Sequence, residues 1–211
     1  MLGHGWYLFM YIPSTFKEER ESLIFTLIQQ NPFGMVVTAA DGIPCVNHIP
    51  MLLALEQRAI HFHMAAQNPQ VALLRAGQPV TLVFQGPHAY VSPTWYEQEG
   101  VPTWNFMAVH ISGLAQEVAP EELAAHMSEM VMRFEGKPGL EGFEGTLAYQ
   151  KMLTAIVGFT LPLNQVEAKF KLSQNRSRAD QLTVAHKLLD SADTSVRATG
   201  RVMLELLGEG V

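Results

Sequence analysis

The chain has 211 residues, 48% of them hydrophobic and 16% charged, the profile of a globular protein of one domain, or of one domain with an appendage. No run of about 18 apolar residues occurs, so no membrane span is expected; the single cysteine, Cys45, excludes a disulfide framework or a cysteine-based zinc site and points to a reducing, cytoplasmic setting. A formal net charge of −6 opposes strong nonspecific binding to nucleic acid, which needs phosphates neutralised by Lys or Arg.

Residues 1–9, MLGHGWYLF, lack a basic leader and a small-residue cleavage site, and read as an N-terminal extension rather than a signal peptide. Thr15 and Glu18 fit a capping box. Leu23, Ile24, Leu27 and Ile28 then supply one helical face, which Asn31-Pro32 ends. FGMVVTA reads as a strand, Asp41-Gly42 as a turn, and IPCVNHIPMLLAL as a second strand or a bent pair of strands. Pro44 and Pro50 place that segment at an edge or bulge, and Cys45 reads as a small buried hydrophobe. In AIHFHM, Ile60, Phe62 and Met64 share one face and His61 and His63 the other. Asn68 caps a short helix that Pro69 opens.

PVTLVFQG, HAYVSP and VPTWNFMAVHISGLAQEV read as further strands. PEELAAHMSEMVMRF is an amphipathic helix opening on Pro120. After a Gly- and Pro-rich loop, TLAYQKML is helical and AIVGFTLPLNQVEAKFKL strand-rich, and two helices, 177–190 and 193–207, close the chain. Short spacings between strands favour an antiparallel barrel over a parallel sheet.

Two stretches carry candidate chemistry. The first, FQGPHAYVSPTWYEQEGVPTWNF, concentrates His88, Tyr90, Trp95, Tyr96, Trp104 and Asn105. Flat rings with one polar edge suit a ligand cleft or a subunit interface, and they also serve as core fillers. The second, AKFKLSQNRSR, holds four of the chain's 14 basic residues. Lys169, Lys171 and Ser173 share a strand face, followed by Gln174, Asn175, Arg176 and Arg178, a set able to meet a phosphate and a polar ring edge, or simply to end a surface strand. His61-x-His63, with His48 and His88, raises a metal reading against that of scattered polar-face residues; no spacing with a metal mechanism is present. Gly-rich phosphate loops and a nucleophile elbow around Ser92 are absent as well.

MYIPSTF at 10–16, FQGPHAYVSPTWY at 84–96, VPTWNF at 101–106 and VEAKFKLSQNR at 166–176 together resemble the PaiB family of FMN-binding split-barrel proteins, described as negative transcriptional regulators of protease synthesis and sporulation. The resemblance runs from Met10, near which the family starts, to about residue 190. It implies an α+β fold: an antiparallel six-stranded split β-barrel over residues 10–176, flanking helices, and a C-terminal helical pair over 177–211. It also implies a homodimer with FMN at the subunit interface, held by His63, Asn68, Trp104, Asn105, Lys171, Ser173, Gln174, Asn175 and Arg176. The ring would lie near Trp104 and Asn105. Lys171, Arg176 and Ser173 would meet the phosphate, aided by Asn68 and the amides behind Pro69. The family pattern H-x-A-R-A-N-P is departed from where it matters for a phosphate: His63 to Pro69 read HMAAQNP, with Ala66 at the arginine, so either FMN is expected to bind more weakly and the protein to carry it only in part, or phosphate recognition is expected to rest on Lys171 and Arg176. Catalytic residues are not identifiable. A flavin-dependent oxidoreductase and a haem-binding split barrel, with His61, His63 or His88 as axial ligand, are the alternatives. No helix-turn-helix is evident, so direct DNA binding is expected to be poor and any regulation to work through a partner or a small-molecule signal.

Overall fold

The computed structural model describes residues 10–137 and 146–210. The N-terminal extension and most of the Gly- and Pro-rich loop lie outside the described residues. The chain divides into two compact units: Met1–Leu27, Gln85–Val109 and Glu167–Val211 form the first, Ile28–Phe84 and His110–Val166 the second.

The fold is an antiparallel split-barrel sheet with helices. Its strands are β1 (Phe33–Ala40), β2 (Ile43–Ala54), β3 (Ala59–Ala65), β4 (Val80–Val91), β5 (Thr103–Gly113), β6 (Gln116–Glu117), β7 (Ile156–Pro162) and β8 (Val166–Lys171), in the order β6-β7-β3-β2-β1-β4-β5-β8. Among the described residues eight strands stand where six were expected. The two-residue β6 adds to β7, and the strand-rich stretch after residue 155 divides into β7 and β8. HAYVSP is no separate strand: β4 runs on through Pro87, whose fixed φ suits extended backbone and costs only a donor.

In the second unit, β2 changes partner midway. Residues Ile43 to Pro50 pair with β1, and Met51 to Ala54 pair with β3. Pro44 and Pro50 thus sit where the strand has one named neighbour, which is where a missing N–H is tolerated. Cys45 is half-buried rather than buried. Helix α2 (Pro69–Arg75) begins as the sequence indicates, with the Asn68 side chain accepting from the Gln70 amide at 2.9 Å. Gln70 itself is fully buried. Its Nε2 donates to Val36 O at 3.0 Å, Thr38 Oγ1 at 3.1 Å and Cys45 O at 3.2 Å, and its Oε1 accepts from Asn47 Nδ2 at 2.7 Å. One side chain therefore ties α2 to β1 and β2. Helix α3 (Pro120–Glu135) packs on β7, where a Cβ at Gly158 would fall 2.8 Å from Leu123 Cδ1. Helix α4 (Leu147–Thr154) is capped by Thr146.

In the first unit, residues 10–18 run along the outer strand β8. Met10 N donates to Glu167 Oε2, Lys17 bridges Lys169, and Glu18 N donates to Ala168 O. This arrangement overrules the capping box. With its amide engaged by β8, Glu18 cannot enter a helix, Ser14–Phe16 closes as a 3-10 turn, and α1 (Glu21–Gln30) begins later. Glu18 instead accepts from the amides of Glu19 and Arg20 and is gripped by the Arg20 guanidinium at 2.7 and 2.9 Å. Helices α5 (Arg178–Leu189) and α6 (Thr194–Leu207) pack together through Val184, Ala185, Leu188, Met203 and Leu204.

Candidate functional site

The KLSQNR stretch is an elbow between β8 and α5. β8 ends at Lys171, and Ser173 adopts a left-handed backbone, φ 68°, a conformation that costs a non-glycine residue energy and recurs at functional sites. The turn closes when Arg176 N donates to Ser173 O at 2.9 Å. Gln174 folds its amide back on the strand: Oε1 accepts from the Leu172 amide and Nε2 donates to Phe170 O. Ser177 then caps α5 by accepting from the Asp180 amide.

This elbow anchors the aromatic stretch. The buried Asp180 carboxylate accepts from the Glu97 amide at 2.8 Å, and the Arg176 guanidinium lies 4.2 Å from the centre of the Tyr96 ring. Gly100 is required there, because a Cβ would come within 2.4 Å of Tyr96 Cδ2. On β5, Asn105 is fully buried; its Nδ2 donates to Ser173 Oγ at 3.0 Å and to Met203 Sδ at 3.5 Å, while the Ser173 hydroxyl donates to its Oδ1.

Between these parts lies a small cavity of about 70 Å³, lined by Tyr96, Thr103, Asn105, Lys171, Asn175 and Arg176, among others. At roughly 30 Å³ per water, it has room for a compact anion and not for a ring system. Lys171 Nζ donates to Thr103 Oγ1 and to Trp104 O. Burial, with Lys169 adding repulsion, pushes the Lys171 ammonium below the usual lysine range. Among the described residues no carboxylate pairs with Lys171 or Arg176. Among the described residues two cations without a counter-ion stand beside neutral donors here, which makes the cavity a candidate anion seat.

Next to the seat stands a half-exposed aromatic face. Trp104, 49% exposed, donates Nε1–H to His88 Nδ1 at 3.2 Å, and Tyr90 meets its ring edge-on at 6.2 Å. Lys169 reaches over the rings of Tyr11 and Phe106.

The structure thus gathers Trp104, Asn105, Lys171, Ser173, Asn175 and Arg176 in the first unit. Gln174 belongs to the same elbow, but both ends of its amide serve the backbone. His63 and Asn68 belong to the second unit, as does Ala66. His63 is half-buried on β3 opposite Gly158, with its imidazole pushed below the usual range by burial, and Asn68 caps α2. Sequence reasoning missed Thr103 and Gly100, and it missed Asp180, which the Ser177-x-x-Asp180 pattern signals.

The histidines separate. His48 is exposed on β2, and His88 serves Trp104. His61 departs from the polar-face reading, because β3 is buried on both faces and α3 covers it. Its ring stacks on His126 with centroids 3.5 Å apart and an 18° tilt, and among the described residues neither buried Nδ1 has a hydrogen-bond partner. Among the described residues, no three His, Cys, Asp or Glu side chains converge as metal ligands, and no helix is long and apolar enough to cross a membrane.

Residues 10–165 match the model of a family described as "Putative FMN-binding domain"; Lys171 and Arg176 lie beyond that match. The chain is 35% identical over 205 residues to "Protease synthase and sporulation protein PAI 2" of Bacillus subtilis, covering 94% of this chain and 98% of that protein. Among solved structures, the FAD and heme binding protein from Mycobacterium smegmatis superposes with TM-score 0.60 at 19% identity, covering 80% of this chain and 78% of that one. The flavocytochrome Anf3 from Azotobacter vinelandii gives 0.59 at 16%, covering 74% and 69%. At such identities the two structures speak for the fold alone. By the family match and the PAI 2 relative together, the chain belongs to the PaiB family of FMN-binding-domain proteins.

Proposed function

We propose that the chain binds FMN through the first unit, with the phosphate in the Lys171–Arg176 seat and the flavin ring against Trp104, and acts as a regulator that does not itself grip DNA. The observation that carries this reading is a cavity of phosphate size whose two cations have no carboxylate partner among the described residues, beside a half-exposed indole. Bound flavin would supply the redox chemistry, and the protein would position it. Asn105 and Ser173 hold the elbow in shape, and Thr103 orients the Lys171 ammonium toward the seat.

Titration of FMN fluorescence tests the seat. A charge-assisted phosphate contact contributes roughly 1.5–3 kcal/mol, so Arg176→Ala is expected to weaken FMN by about 10- to 150-fold. If Arg176→Ala leaves the affinity unchanged, the phosphate lies elsewhere.

The aromatic face, with Tyr11 82%, Tyr90 48% and Trp104 49% exposed, supports a homodimer, since interfaces favour such residues. Light scattering at micromolar concentration is expected to return the mass of two chains, and a monomer overturns this. The name of the PAI 2 relative speaks of protease synthesis and sporulation, yet a net charge of −6 repels phosphate. A mobility-shift assay at moderate salt is expected to show no tight, sequence-selective band; one would establish direct DNA recognition.

A further inference from the structure

A second cavity, of about 610 Å³, lies wholly within the second unit, between the end of α1, the β2–β3 turn and the end of α3. Small organic ligands typically occupy about 300–1,000 Å³. Ile28, Met51 and Leu53 give it a buried apolar floor, while Leu55, Met132 and Phe134 at its rim stay 50%, 44% and 56% exposed. Contiguous exposed apolar surface of this kind marks a binding place, and methionines let it adapt to its occupant.

The charges around it are lopsided. Glu56 comes from the turn and Glu129 from α3, and the single cation in the lining is Arg133. Arg133 follows Glu129 by four residues, the spacing at which helices pair acid with base. Its guanidinium donates instead to Gln29 O at 3.2 Å, on the same lining. Among the described residues neither Glu56 nor Glu129 has an ion-pair partner. An apolar floor beneath two carboxylates that outnumber the one cation of the lining is complementary to a positive head on an apolar body.

We propose that this cavity binds an amphipathic organic cation, an ammonium group carried on an aryl or alkyl body, with the ammonium between Glu56 and Glu129 and the body on Met51 and Leu53. The site is separate from the flavin seat and independent of it.

The test uses the full chain with ¹³C-methyl methionine and three matched probes: 2-phenylethylamine, 2-phenylethanol and 3-phenylpropionate. The amine is expected to shift the Met51 and Met132 methyl signals saturably and to bind roughly fivefold tighter than the alcohol, the scale of two partly exposed ion contacts. The carboxylate is expected to bind worst. Glu56→Gln with Glu129→Gln should erase the preference for the amine. Met132→Lys, at an exposed position, should block the amine while FMN titrates as before. Equal binding of amine and alcohol, tighter binding of the carboxylate, or unmoved Met51 and Met132 signals would each overturn the proposal. So would Met132 shifts that follow protein concentration alone, which would show a second copy seated there.

Discussion

Gln70→Leu is expected to destabilise the protein by about 3–5 kcal/mol, among the largest single-residue effects in the chain. The two side chains have similar volume, so the change leaves little cavity. What it removes is one buried amide that serves four partners at once, Val36 O, Thr38 Oγ1, Cys45 O and Asn47 Nδ2. A buried polar group left unsatisfied costs about 1–3 kcal/mol, and here several are orphaned together. Asn47 is half-exposed and recovers water, so Asn47→Ala is expected to cost only about 1 kcal/mol. Urea unfolding of the two variants against the parent decides the matter. Comparable losses would mean that Gln70 fills space and does not clamp α2 to the sheet.

Gln70 also shows where the sequence stops being legible. The cap at Asn68 and the opening of α3 at Pro120 are local patterns, fixed by backbone geometry within a few residues, and they appear in the structure where the pattern puts them. Gln70 looks like an ordinary polar residue of a first helical turn, because its hydrogen-bond partners come from residues 23 to 34 positions away. Glu18 fails as a capping residue for the same reason: Ala168, far along the chain, takes its amide. The site was half readable. Lys171 and Arg176 stand out by charge in an acidic chain, and both line the small cavity at the elbow. Gln174 looked equally suited to a ligand, but the left-handed turn at Ser173 brings its amide back onto β8. Asp180 escaped notice because its partner is a main-chain amide 83 residues away. His61 was misplaced because alternation reports which residues share a face and not whether a helix covers it.

That burial makes His61 the origin of a strong acid dependence. Desolvation, with repulsion from His126 adding to it, pushes the His61 imidazole from its ordinary 6.5 down to about 4. His126 moves the same way through burial, tempered by Glu122, whose carboxylate stands 3.6 Å from Nε2, and by Glu129. A group whose folded pKa is depressed and whose neutral form is the native one stabilises the fold fully above its unfolded pKa. That stability is lost as pH falls from about 6.5 toward 4, at about 1.4 kcal/mol per pH unit, or about 3 kcal/mol over the window. Glu18 acts at lower pH. Burial pushes its carboxyl up, but the bonds from Arg20 outweigh that and hold it below the usual value of 4.5, so its stability is lost only below about that pH. Chemical unfolding at pH 7.5, 6.5, 5.5 and 4.8 therefore isolates the histidines. The parent is expected to lose about 2 kcal/mol across this series. His61→Phe keeps a flat ring stacked on His126 and removes one titrating nitrogen pair, so its stability is expected to fall far less steeply. Parallel slopes for the two proteins would show that the buried stack is not what acid attacks.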